Sequence, residues 1–189
     1  MSAGCPRCRA HVLAVLADAY PTDTPAPGLG RPLITIVAYG TPGPQGSKKA
    51  HPIYRGGRGS ERVFTGRVAM EESSAKVKPW RDAVAAAAAE AMAPAAAALD
   101  LPRWQPLDEA LVAQFVFSLP RGASVKRPQP TVYPDLSKLV RSSEDALTAA
   151  KVWADDARVV GYHDCHKRYA GDPGALPAPG AVIRVWRAP

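Results

Sequence analysis

No run in the 189-residue chain approaches the roughly 18 consecutive apolar residues that a membrane-spanning helix needs, which excludes an integral helical membrane protein. Cysteine is scarce: Cys5, Cys8 and Cys165 are an odd, sparse set that cannot build a disulfide framework in a chain this long, so a reducing cytoplasm is the expected compartment. Aromatic residues make up only 7%, yet 47% apolar content is close to the globular average and excludes a wholly disordered chain. Negative charge is also in short supply. Seventeen Asp and Glu face 24 Lys and Arg, a formal charge of +7, which favours an anionic partner without identifying one.

Proline and glycine are abundant, at 20 and 15 residues, and their clusters mark the joints of the chain. The segment 21–32 (PTDTPAPGLGRP) reads as a linker between an N-terminal extension, residues 1–31 with the linker included, and one folded body over 32–189. In the extension, Arg7 and Arg9 precede the apolar run Val12–Ala17. This loosely resembles a signal peptide but falls short of the roughly seven apolar residues one requires, and a short helix on a tail is the better reading.

Within the body, Leu33–Tyr39 is β-branched and aromatic over the length of a strand and is stopped by the turn residues of 40–44. Ile53-Tyr54 and Arg62-Val-Phe64 flank a polar loop, which predicts a hairpin. Pro79 at the start of an alanine-rich stretch and Pro94 just past its end predict a helix over about 79–93. Leu111–Leu119 alternates as a strand does, with one strongly apolar face. Leu136, Leu139, Val140, Ser143, Leu147 and Ala150 recur at helical spacing after Asp135, which predicts a helix over about 136–150 with Asp135 at its N-cap. Arg158–Tyr169 and Ala181–Arg187 read as two closing strands. The expected fold is α/β, a mixed sheet with two main helices.

Acidic residues concentrate at Asp135, Glu144, Asp145, Asp155 and Asp156, while residues 41–81 hold nine Lys or Arg against three Glu and residues 121–127 add Arg121, Lys126 and Arg127. Basic loops of this kind can grip a polyanion while clustered carboxylates hold a cation at its backbone. Such carboxylates repel one another unless a divalent ion neutralises them, and magnesium takes one or two carboxylates with waters and phosphate oxygens. The plain alternative is that Asp135 is only a helix cap and Asp155-Asp156 only a turn. Cys5-Pro-Arg-Cys8 with His11 has the first half of a zinc site's spacing, but its second half would have to come from His163, Cys165 or His166 far away, and a flexible extension is the better reading. His163, Cys165 and His166 lack the context of a catalytic Cys-His pair.

Three ordered motifs, Asp135-Leu-Ser-Lys-Leu139, Glu144-Asp-Ala-Leu-Thr148 and Val152-Trp-Ala-Asp-Asp-Ala-Arg-Val-Val160, resemble the core of RusA-type Holliday-junction resolvases, which carry an acidic D-x-D-N/K-L segment, a D-A-L helix and a D-D-x-x-V turn in this order. Gly40–Lys48 looks like the opening loop of phage-type members, and Trp80-Arg81 like the start of their first helix. The resemblance spans about residues 33–187 and implies a nuclease domain over 32–189. It also implies a homodimer, a four-way DNA junction as substrate, and hydrolysis with Mg2+, for which Mn2+ can substitute. It assigns Asp135 and Asp156 to the metal and to catalysis, with Asp155 as acidic neighbour. Arg141 stands where the family has a lysine at the scissile region, and Asp145 matches the D-A-L aspartate, for which helix packing is an equal reading. Ser137 stands where the family has its second aspartate, so it offers the metal a neutral oxygen. Lys48, Lys49, Arg55, Arg58, Lys126, Arg127 and Lys138 are the expected DNA contacts. The resemblance leaves one alternative of the same fold: a branched-DNA-binding protein whose cleavage is lost or weakened through Ser137.

Overall fold

The computed structural model describes residues 26–46, 48–56, 62–72 and 75–189. The strands are β1 (Ile34–Tyr39), β2 (Lys48–Arg55), β3 (Val63–Glu72), β4 (Leu111–Leu119), β5 (Val159–Tyr162), β6 (His166–Tyr169) and β7 (Gly180–Arg187). The helices are α1 (Val77–Ala98) and α2 (Leu136–Ala149), with a 3-10 turn over Asp156–Arg158. The main sheet runs β1-β7-β4-β5, with β6 also on β4; β1 and β4 are antiparallel to β7, and β5 and β6 are parallel to β4. This is the mixed α/β sheet with two helices expected from the sequence.

Both helices cover one face of the sheet. Ile36, Ile183 and Phe115 are register partners across β1, β7 and β4, and they point into a core with Trp80, Val84, Leu139, Leu147 and Trp153. The opposite face carries Val37, Val182 and Val116 in the same way, closed over by Leu176. β4 is therefore buried on both sides, not on the one face its alternation suggests, because Gln114 and Ser118 on the second face are covered as well. Their polar atoms are used: Ser118 Oγ accepts the Leu176 N–H at 2.8 Å, and Gln114 Oε1 accepts from Arg184 at 2.8 Å.

Two boundaries differ from expectation. Helix α1 does not stop before Pro94 but runs through it to Ala98. Proline forfeits one bond to the carbonyl four residues back, and the alanines that follow are the strongest helix formers. The stop comes later, where the Leu101 and Asp100 N–H groups bond back to Ala96 and Ala97 and Asp100 takes a left-handed φ of 56°. Helix α2 ends in the same motif, with Val152 N–H on Leu147, Lys151 N–H on Thr148 and Lys151 at φ 63°. The second difference is at Arg158–Tyr169, expected as one strand. It is two segments, because Asp164, at φ 47°, cannot continue an extended chain.

Cysteines 5 and 8 and His11, and with them the half zinc motif, lie outside the described residues, as does Arg58. A left-handed lysine is strained by its Cβ, so Lys151→Gly is expected to stabilise the protein by about 1 kcal/mol, read as a higher denaturation midpoint at unchanged slope.

Candidate functional site

Helix α2 supplies much of the candidate site, and a polar seam sets its position. The loop after β1 wedges between the two helices: Ser142 Oγ donates to the Gly43 carbonyl at 2.6 Å, and the Gln45 N–H donates to the Lys138 carbonyl at 2.8 Å. Gly43 is required there, since a Cβ would overlap the Lys76 carbonyl. Buried Trp80 donates its indole N–H to Ser143 Oγ at 3.0 Å. Arg81 on α1 is hydrogen-bonded to both Gln45 and Asp145. The pair with Arg81 gives Asp145 the helix-packing contact that is one of the two roles open to it.

At the N-terminus of α2, Asp135 occupies the N-cap position with extended backbone, but its side chain makes no capping hydrogen bond. It is exposed and lies 3.3 Å from Lys138 Nζ. The approach to it is pinned by Lys167 on β6, whose ammonium donates to the carbonyls of Val132 at 3.1 Å and Pro134 at 2.8 Å. Lys167 was not singled out in the sequence, where it is one cation among many. Ser137 follows on the first turn, exposed, and Arg141 is exposed one turn later.

The Asp155-Asp156 turn is held from both sides. Trp153, fully buried, donates to Thr148 Oγ1 at 2.7 Å, residue 107 pairs with this segment through Leu107 N–H to Val152 and Ala154 N–H to Leu107, and Arg158 bonds Asp108 at 2.6 Å. Asp155 caps the 3-10 turn, its Oδ1 accepting the Ala157 N–H at 2.9 Å. Asp156 is left exposed, with no capping duty.

The residue that sequence reasoning underweighted is Glu144. Although only 8% exposed, it accepts a hydrogen bond from the Tyr162 hydroxyl at 2.7 Å. Burial pushes its carboxyl above the ordinary value of 4.5, and the nearby charges of Asp156 and Asp145 push the same way; the Tyr162 bond and Arg141 oppose the shift. Tyr162 is pushed up in turn, by its own burial and by Glu144. Glu144, Arg141 and Ser137 fall on one face of α2, at positions i, i−3 and i−7. Glu144, Arg141, Tyr162 and Asp156 thus share one electrostatic neighbourhood, and Ser137 and Asp135 lie two turns and more from Glu144 towards the start of the helix. The acidic spacing of the sequence signalled Glu144, but its burial depends on a tyrosine 18 residues away.

The donors available to a cation here are all oxygens, the type that magnesium prefers. Among the described residues, no three His, Cys, Asp or Glu side chains converge on one point. Asp135, Asp155 and Asp156 are therefore not gathered into one three-carboxylate cluster. Burial pushes the Cys165 thiol up to about 11, and its sulfur accepts the Phe115 N–H. His163 instead packs its ring edge-on against Trp186, and His166 accepts a hydrogen bond from Arg168.

The expected DNA contacts lie on several different elements. Lys138 flanks Asp135, and Lys126 and Arg127 are exposed on the loop after β4. Arg121 of that loop is instead bound to Asp172 at 2.7 Å and lies over the Tyr169 ring. Lys48 and Lys49 start β2 in register with Glu72 and Glu71, and Arg55 ends it, exposed.

Comparison with known protein families finds a match to endodeoxyribonuclease RusA over residues 59–176, well over half of the chain, which includes β3, both helices and the Asp155-Asp156 turn. No curated protein matches.

The raised carboxyl of Glu144 fixes the sign of a pH effect. A group whose pKa is higher in the folded than in the unfolded chain contributes stability that is complete below the unfolded value and is lost as pH rises through the folded one. Glu144→Gln keeps an acceptor for Tyr162 and removes the charge. The variant is expected to gain on the parent as pH is raised from about 4.5 to 8, measured as the difference between paired thermal melts. A constant difference across that range would show that Glu144 titrates as an exposed carboxylate.

Proposed function

Because the chain belongs to the endodeoxyribonuclease RusA family, we propose that it is a structure-specific endodeoxyribonuclease that resolves four-way DNA junctions as a homodimer with Mg2+, for which Mn2+ can substitute. The observation that carries this reading is the release of two carboxylates from structural duty. Asp135 sits at a cap position without capping, and Asp156 stands beside Asp155, which does the capping. A cap or a turn aspartate would be expected to spend its oxygens on backbone N–H groups.

In this reading Asp135 and Asp156 would hold the ion between the start of α2 and the Asp155-Asp156 turn, with Ser137 and Asp155 as further oxygen donors from the same two segments. Magnesium, when bound, supplies positive charge against the oxyanion that develops at phosphorus. Lys167 holds the backbone that presents Asp135, a task that needs an ammonium because it serves two carbonyls at once. Arg141 and Lys138 meet the phosphate backbone from α2. Two copies related by a two-fold axis present two such sites to symmetry-related strands.

Ser137 brings an oxygen without charge, so the site is one carboxylate short of the family pattern. Slow cleavage with a high magnesium demand is the expected behaviour of the natural chain. Groups that merely support a metal ligand are worth about 10–100-fold in activity. Ser137→Asp is therefore expected to raise the nicking rate at least about ten-fold, or to shift the magnesium dependence to lower concentration, with junction affinity little changed. Asp156→Asn is expected to abolish cutting while junction binding stays equal or tightens, since a charge that repels phosphate is gone.

The assay incubates the dimer with labelled four-way junction and with linear duplex of the same sequence, in magnesium, manganese or EDTA. Equal affinity for the two substrates at moderate salt would reject the resolvase reading. Junction binding with no cutting by the parent or by Ser137→Asp would instead favour the reading that Ser137 itself suggests, a branched-DNA-binding member of the family without cleavage.

A further inference from the structure

The hairpin of β2 and β3 forms a sheet of its own, separate from the main one. An isolated two-stranded ribbon is marginal in water and normally gains its stability from a surface that covers it. Here it is uncovered: Ile53, Tyr54, Val63, Phe64 and Val68 are 41–67% exposed. Tyr54 and Phe64 pair across the strands with their ring centroids 5.9 Å apart, and the Arg62 guanidinium lies 5.0 Å from the Tyr54 ring centre. Beside them opens a cleft of about 540 Å³ lined by Arg55, Gly56, Val63, Phe64 and Thr65.

Charge distinguishes the two ends of this arm. At its base Lys48 and Lys49 are in backbone register with Glu72 and Glu71, so the sequence there carries both signs. Towards the tip, the charged side chains among the described residues are Arg55, Arg62 and Arg67, all positive. An exposed aromatic pair with an arginine beside it, and no carboxylate among the described residues of this end, suits a flat ring attached to a phosphate. It suits a second protein surface less well, because three arginines would have to be matched there.

We propose that the Tyr54–Phe64 face of this arm is a stacking site for one unpaired nucleobase of branched DNA, with Phe64 supplying the ring face and Arg62, on the same face of the ribbon, the contact to the adjoining phosphate. The proposal rests on the reading that the chain binds branched DNA. It adds that the protein engages a base face as well as the backbone. Base–aromatic stacking tolerates any sequence, because every base offers a π-face.

The test uses the full chain in EDTA and a duplex carrying one unpaired adenine, compared with the same duplex carrying an abasic site at that position. The parent is expected to bind the unpaired adenine about ten-fold more tightly than the abasic site, the lower part of the range that stacking spans. Phe64→Ala is expected to bind both equally, near the parent's abasic value, and Phe64→Trp to restore the ratio. Equal binding of the two duplexes by the parent would overturn the proposal. So would an Ala variant that weakens both alike, or one that changes the sedimentation mass and leaves the ratio intact, which would place the arm against a second copy. Junction preference is scored separately. Its absence with the Phe64-dependent ratio retained would overturn the resolvase reading alone, and its presence without the ratio would overturn the stacking site alone.

Discussion

The architecture depends on how two helices with little in common are held together. Helix α1 is built largely of alanine, and of its buried residues only Trp80 is large. Alanine allows close approach to the sheet but offers little area with which to grip a neighbour. The grip on α2 comes instead from polar groups: the Trp80–Ser143 bond, the Ser142–Gly43 bond, and Arg81 reaching both Asp145 and Gln45. Such a seam is directional where an apolar contact is not. It fixes the axial setting of α2, and hence where Asp135, Ser137 and Arg141 stand relative to the Asp155-Asp156 turn. It is also vulnerable, since removing one partner of a half-buried ion pair leaves the other with no compensation for its lost water.

Helix α2 serves two masters along its length. Leu139, Ala146 and Leu147 face the core, Ser142 and Ser143 face the seam, and Glu144 lies at the margin with its carboxyl against Tyr162. Desolvation outweighs the tyrosine's hydrogen bond there, and the charges of Asp156 and Asp145 add to it, so the carboxyl is held above its ordinary range.

The sequence made the elements legible wherever the signal was local. The period of α2 and the alternation of β4 needed no partner to be read, and both are found at their expected positions. Pro94 misled because proline is read as a stop, whereas a helix tolerates it when alanines follow; the true stop lay in backbone bonds around Asp100 that no residue type announces. The acidic motif was visible too, but not the division of labour within it. That Asp145 packs helices follows from Arg81, 64 residues earlier, and that Lys167 steadies the approach to Asp135 follows from a strand 33 residues beyond Pro134. Both are contacts between distant segments, which spacing along the chain cannot express.

The break at Asp164 has a bearing on how this molecule keeps its own company. It divides the outermost strand into two four-residue pieces, so this border of the sheet presents only short rows of open backbone groups. An uninterrupted border of eight or more residues would template pairing with another chain, and sheets that grow in that way lead to insoluble fibres. A kink of this kind is a barrier to such growth.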